Sequence, residues 1–344
     1  MKICLAPMDG VTDCAYRIVC KQIFELHKAP DDELMLWTEF MSADGYVHNP
    51  PVIKHIQRSD YDHETIAQIF GNTDTLISCI LDIEKKYDYA GIELNMCPSP
   101  KIMKCAAGSG MLKDKQKTLA ILKEIAQIKI PFSLKTRIGL SQDDVQDQFD
   151  FLVEAGKYVS TIVHGRTYKQ SHAGEVNRQF IYDLKKELPN HIIIGNGLRT
   201  YQDGLDKAGN LDGIMPAQAI GNPWILTPHT PTPEEVYKTI IYHLSLMTAC
   251  ELHFKASIKE YDHEKGLIQP NQKELEDTVK QIRSSLDVSE AHSPIEFRKY
   301  LFRYLLGLPN AKALKKRIPA ARDYASLVGL LEEFFGGMEE ISSI

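Results

Sequence analysis

The chain has 344 residues, enough for one large domain and a smaller one. With 43% hydrophobic and 25% charged residues it groups with soluble globular chains, which excludes collagen-like, disulfide-scaffold and disordered classes. Forty Lys and Arg against 46 Asp and Glu leave a net charge of −6, which excludes a uniformly basic coat for nucleic acid but not a local basic patch. No apolar run approaches the roughly 18 residues of a membrane span, and MKICLAPMDG lacks the layout of a signal segment. A cytoplasmic location is therefore expected. The seven cysteines lack the paired short spacings of a zinc site, so no metal centre is expected and most thiols should be reduced core groups.

In chain order, eight short apolar runs alternate with stretches of helical spacing. They are KICLAP from Lys2, LMLWTEF from Leu34, TIAQIFG from Thr65, AGIELNM from Ala90, FSLKTRIG from Phe132, STIVHGR from Ser160, HIIIGNG from His191 and LDGIMPA from Leu211. Near-continuous apolar strands point to a parallel sheet buried on both faces, with the helical stretches as crossovers. The clearest crossover is TLAILKEIAQIK from Thr118, with Leu119, Leu122, Ile125 and Ile128 on its apolar face. Eight such units in about 225 residues fit a closed (β/α)8 barrel better than the alternative, an open doubly wound sheet. The runs end in residues with chemical capability: Pro7 and Met8, Glu39, Gln68, Asn95, Lys135 and Arg137, His164, and Asn196. A barrel active site draws on several strand ends at once.

Past Trp224 the β pattern stops. A proline-rich lead places Pro233 in the first turn of a helix, and helices are expected over Lys273 to Leu286, Pro294 to Leu306 and Tyr324 to Phe335. The expected division is a barrel over 1–228 and an all-helical domain over 229–344. Between Glu296 and Arg322 lie eight basic residues and one acid, with Phe297, Tyr300, Phe302 and Tyr304 interleaved. Arg298, Lys299 and Arg303 fall on nearly one helix face. That stripe is either an ordinary solvated face over an aromatic core or a surface for RNA phosphates.

The segment GIELNMCPSPKIMKCAAGSGML from Gly91 carries the most specific signal. A strand delivers Asn95 and then Cys97 to the barrel mouth, and Pro98 and Pro100 keep the chain from continuing as regular structure. A thiol at that place has access to a ligand.

Here the chain resembles the tRNA-dihydrouridine synthase family. The resemblance rests on LAPMDGVTD at Leu5, QIFGN at Gln68, NMCPSPK at Asn95, GSGMLKD at Gly108, LKTRIG at Leu134, VHGRT at Val163, GNG at Gly195 and GNPW at Gly221, in the family's order. A weaker echo at FRKYLFRYLLGLPNAKALKKRI looks like the family's tRNA-binding helices. The resemblance implies an FMN-bearing barrel that reduces the C5=C6 bond of uridines in tRNA, with NADPH as reductant. It assigns Pro7, Met8, Asp9, Gln68, Lys135, His164, Asn196, Gly197, Ala217 and Gln218 to the flavin, Cys97 to proton donation, and Asn95 and Arg137 to the uracil. Arg298, Lys299 and Arg303 are the expected RNA contacts. The residue types suit those roles: a Gln amide meets alternating donors and acceptors, a Lys cation suits the electron-rich edge of a reduced flavin, and an ordinary thiol is mostly protonated near neutrality.

Three loops are one residue shorter than the family pattern, between Met96 and Cys97, after the GNG run and at Gln218. Gln218 also stands where the family has Arg, removing a phosphate-binding cation. Two other functions remain open: an FMN barrel acting on a small molecule, and a tRNA-binding protein with a degenerate flavin site. A monomer without membrane or obligate protein partner is the expected form.

Overall fold

The eight apolar runs form nine parallel strands among the described residues, because the second run is interrupted. The strands are β1 (Lys2–Cys4), β2 (Glu33–Met35), β3 (Trp37–Ser42), β4 (Ile66–Phe70), β5 (Gly91–Asn95), β6 (Phe132–Arg137), β7 (Ser160–His164), β8 (Ile193–Leu198) and β9 (Gly213–Pro216). The computed structural model describes residues 1–97, 111, 114–171, 173–216, 218–285, 288 and 291–342. The sheet order is β2-β1-β9-β8-β7-β6-β5-β4-β3. Only Leu36 separates β2 from β3, so the two edges of that order are one strand, and the sheet curls into a nearly closed barrel. Leu5 N–H donates to the Met35 carbonyl on one side of the break, and Ile66 N–H donates to the Leu36 carbonyl on the other. The second strand thus pairs with one neighbour through its first half and with the other through its second.

By its contacts the chain divides into two compact units: Met1–Thr12, Ala29–Ile56 and His63–Gln218 in the first, and Asp13–Lys28, Gln57–Asp62 and Ala219–Ile344 in the second. The first unit holds every strand together with α2 (Ala43–His48), α3 (Thr73–Lys86), α4 (Lys115–Ile125), α5 (Val145–Ala155), α6 (Arg178–Glu187) and α7 (Tyr201–Asp206). The crossovers begin where side-chain oxygens satisfy free N–H groups: Asp114 caps α4 through Lys117 N–H, Asn177 caps α6 through Phe180 N–H and Thr200 caps α7 through Asp203 N–H. The buried stripe of α4 is Thr118, Ile121, Leu122 and Ile125, so Ile121 occupies the face expected for Leu119, which is half-buried.

Inside the barrel the two-residue period of a strand fixes what lies above what. A floor of Cys4, Ala6, Trp37, Ile162, Ile194 and Met215 forms one apolar cluster. Two residues further along β7 and β8, on the same face, come His164 and Asn196.

The second unit is helical, built from α1 (Cys14–His27), α8 (Pro233–Ser257), α9 (Gln272–Ser285), α10 (Ser293–Glu296), α11 (Arg298–Tyr304), α12 (Ala311–Arg317) and α13 (Tyr324–Ser342). Leu286, the expected end of α9, lies outside the described residues. The helix expected from Pro294 comes as α10 and α11, joined through Phe297, whose backbone keeps helical dihedrals. Helix α8 opens with a reciprocal cap, Thr232 and Glu235 each accepting the other's backbone N–H, with Pro233 in the first turn. Its middle is buried on every side (Leu244, Leu246, Met247 and Ala249), as befits a central helix. The buried His243 ring lies among Tyr16, Phe297, Tyr300 and Tyr304. Burial pushes its pKa down to about 3, helped by the Lys299 charge, so it stays neutral. Gly221 has φ +56, and a Cβ there would meet the Tyr300 carbonyl oxygen at 2.3 Å, which reserves that place in GNPW for glycine. No helix among the described residues is long and apolar enough to cross a membrane.

A fully buried ion pair lies within this unit. Arg17 Nε donates to Asp62 Oδ2 at 2.8 Å and Arg17 Nη2 to the Gln57 carbonyl at 2.6 Å, while Asp62 Oδ1 accepts from Ser59 N–H at 2.6 Å. Both side chains are completely inaccessible to solvent. Removing one partner strands the other charge, so Arg17→Ala should cost about 3–5 kcal/mol in urea unfolding.

Candidate active site

Neighbouring strands bring the expected residues together in register. Asn95 pairs with Lys135, and two residues further along β6 Arg137 pairs with His164, which in turn pairs with Asn196. Lys135 and Arg137 are two apart and share a face, as do Glu93 and Asn95. All of these side chains are buried although they are polar, so their hydrogen bonds decide whether the site holds together.

The network starts at Glu93, which sequence reasoning passed over. Its carboxylate is fully buried on β5 and accepts from Gln68 Nε2 at 2.5 Å and from Ser133 Oγ at 3.3 Å. Gln68 Oε1 accepts from Asn95 Nδ2 at 3.1 Å, and Asn95 Oδ1 accepts the Cys97 backbone N–H at 2.9 Å. Lys135 Nζ donates to Cys97 Sγ at 3.3 Å. A continuous chain of contacts thus runs from a buried acid to the half-buried thiol. Burial pushes the Glu93 pKa up to about 7, against the pull of Lys135, Gln68 and Ser133. The signal available in the sequence was an acid inside the otherwise apolar run GIELN.

On β6 and β7 the site is cationic. Arg137 Nη1 donates to the Thr167 and Ser171 carbonyls at 3.0 and 2.6 Å, while its buried Nε has no protein acceptor among the described residues. Burial, and secondarily the Arg166 charge, lower the Arg137 pKa. Arg166 Nη1 lies 3.3 Å from His164 Nε2, and Arg166 Nε donates to the Gly174 carbonyl at 3.0 Å. On β8, Asn196 Nδ2 points at Met215 Sδ at 3.4 Å. Between Asn196 and Leu198 the pairing with β9 shifts by a residue, which makes Gly197 a bulge at the strand end, a device that re-aims the chain beside a ligand.

The loop after β1 is shaped by Met8, whose carbonyl accepts from Val11 and Thr12 N–H, and by the Glu39 carboxylate, which accepts from Gly10 N–H. Pro7 and Met8 are half-buried; Asp9 is exposed, its carboxylate near Glu39 and His55. Gln218 is exposed, and Ala217 lies outside the described residues, as do Pro98 and Pro100. In the helical unit Lys299 and Arg303 are exposed, whereas Arg298 is half-buried and donates to the Ala321 carbonyl at 2.5 Å.

A planar polar heterocycle bearing negative charge fits this donor set. Two cations lie on one strand face, the Arg137 Nε is buried without an acceptor, a carboxamide lies on the adjoining strands, and an apolar floor lies below. Lys135, Gln68, His164 and Asn196 are the groups able to hold it.

The raised pKa of Glu93 has a stability consequence. The folded protein keeps the proton that the unfolded chain releases near the ordinary Glu value, so the contribution of Glu93 to stability is full below about 4.5 and is lost as pH rises toward about 7. Glu93→Gln should flatten that part of the profile, seen as a smaller difference in Tm between pH 5 and pH 7.5 than in the unaltered protein.

Comparison with known proteins gives the chain a family. The dihydrouridine synthase family model matches residues 4–302. A protein named probable tRNA-dihydrouridine synthase from Aquifex aeolicus (strain VF5) is 26% identical over 345 aligned residues, covering 96% of this chain and 95% of its own. One of the same name from Staphylococcus aureus (strain Mu50 / ATCC 700699) is 25% identical across 98% of this chain and 94% of its own. The tRNA-dihydrouridine synthase B of Pseudomonas syringae pv. tomato is 27% identical over 231 residues, covering 64% of this chain and 65% of its own. With a match spanning all the barrel strands but the first residues of β1, the chain belongs to the dihydrouridine synthase family.

Proposed function

We propose that this enzyme reduces the C5=C6 bond of particular uridines in tRNA to 5,6-dihydrouridine, with FMN at the barrel mouth and NADPH as reductant. The observation that carries the proposal is Cys97 Sγ held 3.3 Å from Lys135 Nζ, beside a carboxamide network on the strand ends. The names of the relatives support tRNA as the substrate.

The residues have separable tasks. Pro7, Met8, Asp9, Gln68, Lys135, His164, Asn196, Gly197, Ala217 and Gln218 would hold the flavin, with Lys135 to offset negative charge on its ring. FMN, when bound, would supply hydride chemistry for uracil C6. Cys97 gives its Sγ proton to C5, and Lys135 Nζ stabilises the thiolate left behind. Asn95 uses one lone pair on Cys97 N–H and one hydrogen on Gln68, which leaves one of each for the complementary edge of uracil. Arg137 adds its Nε–H. The target base must leave its stack to meet these groups, so part of the tRNA binding energy goes into that distortion.

The functional division proposed is a catalytic barrel over 1–228 and an RNA-binding part over 229–344, acting as a monomer in the cytoplasm. Lys299 and Arg303 face solvent and suit phosphate contacts; Arg298, half-buried, also holds the Ala321 carbonyl.

Cys97→Ala should retain flavin colour yet lose about 10²–10⁴-fold in single-turnover reduction of tRNA. Undiminished turnover would remove Cys97 from the mechanism. Affinity for tRNA should fall steeply with salt, and Lys299→Ala or Arg303→Ala should each lower the slope of log K against log salt by about 1. Mapping dihydrouridine in tRNA from cells with and without the gene tests the reaction itself.

A further inference from the structure

We infer a binding site for one divalent transition-metal ion of the zinc class in the helical unit, formed by His27, His229 and Glu235. Their ligand atoms lie within 4.8 Å of one another although the residues come from the end of α1, the segment before α8 and the first turn of α8. His229 Nε2 lies 3.0 Å from Glu235 Oε1, and His27 Nε2 lies 3.9 Å from the same oxygen. Ligands of a tetrahedral zinc centre, each at 2.0–2.2 Å from the metal, stand roughly 3.3 Å apart, between these two separations. Two imidazoles and a carboxylate form a donor set zinc accepts, with the fourth position left to water.

Several features favour the ion. The other Glu235 oxygen, Oε2, accepts Thr232 N–H at 2.7 Å and Thr232 Oγ1–H at 3.0 Å, so the carboxylate is fixed by the helix cap before any ion arrives. Those bonds, the Thr232 N–H foremost, hold the Glu235 carboxyl below its ordinary pKa. The two rings stack with centroids 3.9 Å apart and planes 4° from parallel. In that stack the two in-plane lone pairs run side by side, so taking up the ion requires one ring to turn out of the stack while the cap holds Glu235 in place. His27 Nε2, the more distant of the two nitrogens at 3.9 Å from Glu235 Oε1, is the one that must move to complete the set. His27 lies in the last turn of α1, whose carbonyl end favours positive charge, and each ligand side chain is 25–36% exposed, which leaves a path for ion and water. Nearby Lys28 Nζ lies over the Phe24 ring, and Lys238 Nζ is paired with Glu234. Metal binding would clip position 27 to position 235 within one unit, independently of the barrel mouth.

The test uses the full chain, stripped with a chelator and kept in a phosphine reductant, titrated with ZnCl2 by calorimetry and followed by thermal unfolding. One Zn2+ per chain should bind, Tm should rise, and His27→Gln and His229→Gln should each weaken binding at least tenfold and abolish the rise. Co2+ should give tetrahedral visible bands without thiolate charge transfer in the near ultraviolet, a readout that does not depend on any variant folding. Absence of saturable binding, binding unchanged in both variants, or a thiolate-type Co2+ spectrum would overturn the assignment.

Discussion

A buried carboxylate beneath the barrel mouth organises everything above it. Glu93 has no access to water, so it must find donors among its neighbours, and it takes the amide of Gln68 and the hydroxyl of Ser133. That choice orients Gln68, whose carbonyl oxygen orients Asn95, whose carbonyl oxygen in turn holds the Cys97 backbone. The Cys97 backbone is thus placed by a relay of fixed polar groups on adjacent strands. In a low-dielectric interior such a relay is strong when every member is satisfied and fragile when one is lost.

The fold was legible because parallel barrels write themselves into sequence as apolar runs ending in polar residues, and all eight runs became strands. Periodicity could not reveal the interruption at Leu36, because the residue there is as apolar and buried as its neighbours and only its pairing partner changes. Residues near strand ends were the ones the sequence could pick out, and pairing sets Asn95 beside Lys135, and Arg137, His164 and Asn196 in one row, with Gln68 opposite Glu93. Glu93 was overlooked because acids inside apolar runs are rare and carry no motif of their own. Arg298 was grouped with its exposed neighbours on helical spacing, and only the position of the Ala321 carbonyl distinguishes it. The meeting of His27 with His229 and Glu235 has no sequence signature at all, since it depends on packing between distant helices.

Charge shows the same contrast between average and place. A net charge of −6 describes the chain as a whole, yet the polar layer of the barrel carries Lys135 and Arg137 on one strand face, with Arg166 beside His164. The cations on β6 are held by carbonyls and a thiol, while Glu93 on the adjoining strand sits near its point of neutralisation.

The membership of α1 in the helical unit has a consequence for how the molecule is made. A ribosome delivers Cys14–His27 at the start of synthesis, but the helices that cover its buried face, α8 and α11 among them, emerge only after more than two hundred further residues. The faces of α1 that pack on α8 and α11, Tyr16 among them, must wait through that interval. A protein clipped after the barrel would keep this helix without the α8 and α11 surfaces that pack on it.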